Sequence, residues 1–244
     1  MNAETTSYYQ PFQGDASRKI TCIFENPTWL EELHHRPVAG VAGSRLCALF
    51  KVLRNMQCKL TTDFGTHMFR HKVCIVNGAR RVYSTSTSIT DATYRKYVEE
   101  NRPELESALE NSKMIICFGD RAEVALKEVC STKRYAKVYH LSDTGISRLC
   151  NLGELRIRYS LPESHRGLVI LLIYAEYLAR WYENNNYTTK FSDFTEPFRH
   201  NGAEEDEASR NRWHKIDIKR LMNQCNCSGQ CCIHCGLTEC ANRR

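Results

Sequence analysis

No apolar run in this 244-residue sequence approaches the roughly 20 residues that a membrane-spanning helix requires. The opening segment, MNAETTSYYQPFQGDASRK, holds no apolar core of a secretory signal. These two absences predict a cytosolic or nuclear protein, with the cytoplasm as its expected location and no membrane partner. Charge of one sign is scarce: 34 Lys and Arg against 28 Asp and Glu leave +6, which suits a polyanionic partner without requiring one. No Gly-x-Gly-x-x-Gly or Walker-type loop follows any β-type run, which argues against an unrelated nucleotide-binding α/β protein. Nothing repeats at a spacing of about 20 to 50 residues, so repeat architectures are excluded.

What is present is enough apolar material for a real core. With 42% hydrophobic residues, the chain fits one sizeable domain with tails, and a monomer is expected. Cysteine is abundant, with 13 in all. Cys22, Cys47, Cys58, Cys74, Cys117, Cys130 and Cys150 are spread through apolar segments, where a reduced thiol packs as a small hydrophobe. The others crowd into the end of the chain.

Four short β-type runs, KITCIFE (19–25), HKVCIVN (71–77), KMIICFG (113–119) and AKVYHLS (136–142), each end in a polar or glycine turn. Mostly apolar strands of this kind read as parallel strands covered on both faces. The segments between them carry the helical period. In SRLCALFKVLRNM (44–56), Leu46, Leu49, Phe50 and Leu53 share a face behind Ser44 as N-cap. Thr90 and Asp91 cap a helical stretch over 90–111 that Pro103 divides, DRAEVALKEVCS (120–131) opens on Asp120, and 162–185 is the longest helix candidate. The order β-α-β-α-β-α-β-α predicts an α/β fold, a three-layer α/β/α sandwich around a four-stranded, mostly parallel sheet. In such folds the ligand site lies beyond the carboxyl ends of the strands. The residues to inspect are therefore Glu25-Asn26-Pro27, Asn77-Gly78, Gly119-Asp120 and His140-Leu141-Ser142.

Taken together, these strand-end residues resemble the motifs of the uracil-DNA glycosylase superfamily. ENPTWLEELHHRPVAGVAGSRL (25–46) looks like its first motif, a strand ending in a carboxylate or amide before Pro. Arg36-Pro37-Val38-Ala39-Gly40-Val41-Ala42-Gly43 is similar to the Arg-Pro-Phe-Val-Gly-x-x-Gly stretch of the thermostable branch. VCIVNGARR (73–81) resembles the strand that ends in a base-reading Asn, KMIICFGDRAEVAL (113–126) the strand-Gly-x-x-Ala-helix segment, and VYHLSDTGISRL (138–149) the His-Pro-Ser motif with its DNA-penetrating loop. The likeness covers about residues 19–182, with Phe24 in place of a Gly in the first motif and Leu141 in place of the Pro in the third.

The resemblance implies a DNA partner and a monofunctional DNA glycosylase that flips out a base, hydrolyses its N-glycosidic bond and leaves an abasic site, with no cofactor required. Such a reaction passes through an oxocarbenium-like sugar and an anionic leaving base. Asn26, with Glu25 beside it, is the expected water-positioning group, and His140 the donor to the departing base. Asn77 would read the flipped base, with Thr28, Val38 and Phe24 lining its pocket. Ser142, Gly145, Ile146 and Arg148 fall where the superfamily grips DNA and inserts a wedge; Ser142 fits a phosphate or a turn equally well. Strict uracil enzymes block the pyrimidine 5-position with Tyr where this chain has Thr28, and Val38 replaces a stacking Phe worth about 1–3 kcal/mol. Both changes enlarge the pocket. The expected substrate is a 5-modified pyrimidine such as glucosylated hydroxymethylcytosine of phage DNA, in an antiviral role; the alternatives are uracil excision in base-excision repair and non-catalytic capture of a modified base or abasic site.

The chain ends in CNCSGQCCIHCGLTEC (225–240), which brings Cys225, Cys227, Cys231, Cys232, Cys235 and Cys240 together with His234. Two readings stay open, a zinc site and a thiol-rich tail without metal. The thermostable branch carries an iron-sulfur cluster, and this chain has no Cys-x-x-Cys near its first motif to hold one. The expected organisation is a flexible tail over 1–18, the glycosylase-like domain over 19–198, an acidic-then-basic linker over 199–212 and a C-terminal helix with the Cys-rich tail over 213–244.

Overall fold

A computed structural model describes residues 19–35, 37–56, 58–64, 73–82, 89–142, 145 and 166–199. The chain divides into two compact units, Met1–Gly40 with Phe69–His140 and Val41–Met68 with Leu141–Arg244, and each is treated by itself below.

The first unit is an α/β structure on a four-stranded, all-parallel sheet. Its strands are β1 (Ile20–Phe24), β2 (Val73–Asn77), β3 (Met114–Phe118) and β4 (Ala136–Val138), in the spatial order β2-β1-β3-β4. Every residue of β1, β2 and β3 is buried, so neither face of the central strands meets water. That is why their sequences are near-continuous apolar runs with no alternation. Thr21 is tolerated inside because its hydroxyl donates to the Ala108 carbonyl at 2.8 Å.

One face of this sheet is covered by three helices of the same unit. Thr90 caps the first, Asp91–Glu100, by accepting the Thr93 N–H at 3.2 Å, as expected from the sequence. Pro103 stands in the first turn of the next, Arg102–Leu109, where its missing N–H costs nothing. The third is Asp120–Val129. Ile23, Cys74, Val76, Ile115 and Cys117 from the sheet meet Tyr94, Val98, Leu105, Leu109 and Leu126 from these helices in one core cluster. A short helix, Trp29–His34, follows β1.

The second unit is helical among its described residues. A helix over Val41–Asn55 buries Leu46, Leu49, Phe50 and Leu53, and Lys59–Phe64 follows it. The long helix Arg166–Glu183 packs against both and against Phe191–Arg199. Aromatic contacts tie these together: Phe64 to Tyr182 at 5.3 Å, and Phe191 to Tyr174 at 4.6 Å. In chain order the helices are α1 (Trp29–His34), α2 (Val41–Asn55), α3 (Lys59–Phe64), α4 (Asp91–Glu100), α5 (Arg102–Leu109), α6 (Asp120–Val129), α7 (Arg166–Glu183) and α8 (Phe191–Arg199).

One expectation needs correcting. Ser44 does not cap α2, because the helix already begins at Val41 and Ser44 sits inside its first turns. The fourth strand ends at Val138, and His140 lies on the segment after it, as expected from the sequence. Cys22, Cys47, Cys58, Cys74 and Cys117 are buried and form no disulfide, as expected from the sequence, while Cys130 is only partly buried. Burial pushes the Cys22 and Cys117 thiols well up, which keeps them protonated. Among the described residues no helix is long and apolar enough to cross a membrane.

Candidate functional site

The parallel sheet gathers the carboxyl ends of its strands along one edge. In the β1–β2 register Phe24 stands opposite Asn77. The Phe24 ring stacks on Phe118 of β3 with centroids 4.6 Å apart and planes 7° from parallel. His140, beyond β4, meets the same ring edge-on at 5.7 Å and 90°. Phe24 is thus a buried hub, 2% exposed, touching residues from the ends of β2, β3 and β4. The large ring at the position where the resembled motif has Gly is accommodated by this stack.

Asn77 is almost fully buried, at 1% exposure. Its Nδ2 donates to Oε1 of Glu31 at 3.3 Å, while its Oδ1 is buried with no hydrogen-bond partner. The main chain beneath it is pinned too, because Asn101 Nδ2 donates to the Asn77 carbonyl at 2.8 Å. A buried acceptor left open is uncommon in a folded protein and calls for a donor.

Glu31, 4% exposed, is the carboxylate around which this corner is built. Its Oε2 accepts the Thr28 N–H at 2.7 Å, reaching back from the third residue of α1 to the residue before the helix. Its Oε1 accepts the Val38 N–H at 2.6 Å in addition to Asn77. Val38 itself has φ of 47°, a left-handed conformation that β-branched residues rarely adopt. The Glu31 bond helps to hold that strained backbone, whose cost is on the order of 1–3 kcal/mol. Thr28 is exposed and Val38 buried.

Glu25 and Asn26 follow β1. Arg121 Nη1 donates to Glu25 Oε1 at 2.8 Å and its Nη2 donates to the Ile89 carbonyl at 2.8 Å, with the guanidinium 5.3 Å above the Tyr94 ring. Tyr94 in turn donates its hydroxyl hydrogen between the Glu25 carbonyl, at 3.2 Å, and the Arg121 carbonyl, at 3.0 Å. The Asn26 amide donates locally, to the Pro27 carbonyl at 2.8 Å. Gly78 lets β2 close on this group: an added Cβ would overlap the Tyr94 hydroxyl and lie 2.6 Å from the Ala125 Cβ. Gly119, with φ of 102°, turns the chain from β3 into α6 beside His140.

A charged cluster stands at the start of α6. Glu123 accepts from Tyr135 at 2.6 Å, Lys137 at 2.6 Å and Lys127 at 2.8 Å, and Lys137 also pairs with Asp120 at 2.7 Å. Burial pushes the Glu123 carboxyl up, but the hydrogen bonds from Lys127, Lys137 and Tyr135 outweigh it and bring the group down to about 2.

Of the sequence-predicted residues, Phe24, Glu25, Asn26, Thr28, Val38, Asn77 and His140 all belong to the first unit. Ser142 and Gly145 belong to the second, where the Ser142 hydroxyl accepts the Gly145 N–H at 3.3 Å and so serves as a turn former. In the same unit Leu141 is fully buried, and its carbonyl accepts from Arg45 at 2.8 Å. Ile146, Arg148 and the segment with Cys225, Cys227, Cys231, Cys232, Cys235 and Cys240 lie outside the described residues. Among the described residues no group of three or more His, Cys, Asp or Glu side chains could hold a metal ion.

Sequence reasoning missed Glu31, Arg121, Tyr94 and Asn101. The Thr28-x-x-Glu31 spacing is a capping-box signature and could have found the first. No local signal marks the other three, because each acts across 20 or more residues of chain, as Arg121 does on Glu25. No model of a known protein family matches the chain, and no curated protein sequence matches it.

Proposed function

We propose that this protein is a monofunctional DNA glycosylase that extrudes a modified pyrimidine and hydrolyses its N-glycosidic bond. The observation that carries this reading is the Asn77 amide, buried at a strand end with an unpaired acceptor, on the same sheet edge as Asn26 and His140. A flipped base brings donors and acceptors to such an amide. Asn26 would hold the attacking water, its Oδ1 directed by the bond from its own Nδ2 to the Pro27 carbonyl. His140, braced against Phe24, would donate to the base as negative charge grows on it. Glu25 is ion-paired to Arg121, which suits electrostatic support of an oxocarbenium-like sugar better than proton abstraction. The exposed Thr28 supports an unguarded pyrimidine 5-position, and hence a substrate such as glucosylated hydroxymethylcytosine in antiviral defence.

A second reading, capture of a modified base or abasic site without cleavage, is favoured by one observation: both Glu25 and Asn26 already have protein partners at the strand end. Single substitutions Asn26→Ala and His140→Ala separate the two. Glycosylase action requires that each abolish base release while DNA binding persists. Wild-type protein that binds modified DNA and never yields alkali-labile sites supports capture.

A further inference from the structure

We infer that Glu31 is a specificity-determining positioning residue: it fixes the Asn77 side-chain amide so that the acceptor Oδ1 is left for the ligand. Both Glu31 oxygens already act as acceptors of backbone N–H groups, from Thr28 and Val38, so the Asn77 group that meets Oε1 at 3.3 Å is the NH2. Turning the amide over would set Oδ1 against a carboxylate oxygen in a buried corner, where Glu31 is 4% and Asn77 1% exposed. Glu31 cannot swing away to relieve that conflict, because the N–H groups of Thr28 at 2.7 Å and Val38 at 2.6 Å hold both of its oxygens. Asn77 cannot retreat either, since Asn101 Nδ2 grips its carbonyl at 2.8 Å and that of Gly78 at 3.4 Å. One amide orientation survives, and in it Oδ1 has no partner.

An acceptor presented in this way selects a ligand edge that leads with an N–H. The 4-amino group of a cytosine-type base and the N3–H of a uracil-type base both satisfy it. A base alkylated at that nitrogen leaves Oδ1 buried and unpaired, a loss of about tenfold or more in binding. The ligand class rests on the glycosylase reading; the locked amide does not.

Two measurements on the full chain keep these apart. In ¹⁵N–¹H correlation spectra the Asn77 side-chain amide should show one proton shifted and protected by the carboxylate, and Glu31→Gln should remove that signature. The second measurement is binding of duplexes that carry hydrolysis-resistant 2′-fluoro nucleotides, with 5-hydroxymethylcytosine or its N4,N4-dimethyl derivative as the base. Wild-type protein should prefer the N–H-bearing base by about tenfold. Glu31→Gln and Asn77→Ala should each erase the preference, and Asn77→Ala leaves the Glu31 backbone bonds in place should the first variant fold poorly. An Asn77 signature unchanged in Glu31→Gln, or a preference that survives Asn77→Ala, overturns the inference. Absence of cleavage on every oligonucleotide would overturn the glycosylase reading alone, because the amide signature reports on Glu31 whatever the protein does.

Discussion

Replacing Gly78 with alanine inserts a methyl group where the end of β2 is pressed against α4 and α6. The new Cβ would overlap the Tyr94 hydroxyl and approach the Ala125 Cβ to 2.6 Å, with the Glu25 carbonyl 3.3 Å away. Ala125 is fully buried and lies within α6, and Tyr94 is 1% exposed, so neither neighbour has free space to move into. Overpacking of a tight core costs about 1–3 kcal/mol. Displacing the Tyr94 hydroxyl also weakens its bonds to the Glu25 and Arg121 carbonyls, each with a net value of about 1 kcal/mol. The combined loss is about 2–4 kcal/mol, which lowers the melting temperature of a chain of this size by roughly 5–15 °C. Urea unfolding of Gly78→Ala and wild type, followed by circular dichroism, measures the difference directly. A change below about 0.5 kcal/mol, the range of a neutral surface substitution, would refute the claim that β2 and α6 are locked together at this glycine.

Three further outcomes follow from the same geometry. Gly119→Ala puts a side chain at φ of 102°, where strain alone costs about 1–3 kcal/mol; a lowered melting temperature checks it, and base release should fall as well because His140 sits beside this turn. Glu123 is held down to about 2 in the folded protein, so its stabilising contribution is complete above the ordinary glutamate range near 4.5 and vanishes as pH falls through about 2. The stability gap between wild type and Glu123→Gln should therefore be widest near neutral pH and close between pH 4.5 and 2. Arg121→Met removes the Glu25 ion pair, whose partners are 26% and 35% exposed. Stability should fall by about 1 kcal/mol or less, while single-turnover base release falls far more, about tenfold or beyond.

The strands were the most legible part of the fold. Continuous apolar runs ending at Phe24, Asn77 and Phe118 can be buried on both faces only in a covered parallel sheet. Their spatial order is a different matter, because the β2-β1-β3-β4 arrangement is set by which crossovers pack, and no single run encodes that. Helices α4, α5 and α6 carry a helical period that can be read directly, and the Thr90 cap and Pro103 mark where the first two begin. By contrast α1 and α3 have only six residues each, too few for a period to show. Residues at or just past a strand end, such as Asn26, Asn77 and His140, could be picked out from the apolar runs alone. The candidate site was opaque where one side chain holds another. The Thr28 amide anchors Glu31, and nothing near Arg121 in sequence announces Glu25 as its partner.

The central claim is base excision at the sheet edge formed by Asn26, Asn77 and His140. Its most direct test is a single-turnover assay of the wild-type protein on oligonucleotides carrying uracil, mismatched thymine, 5-hydroxymethylcytosine or glucosylated 5-hydroxymethylcytosine. The account predicts alkali-labile abasic sites at the modified cytosines, with Asn26→Ala inactive. Intact strands for every base would contradict the glycosylase proposal, and release confined to uracil would contradict the expectation of an enlarged pocket from Thr28 and Val38.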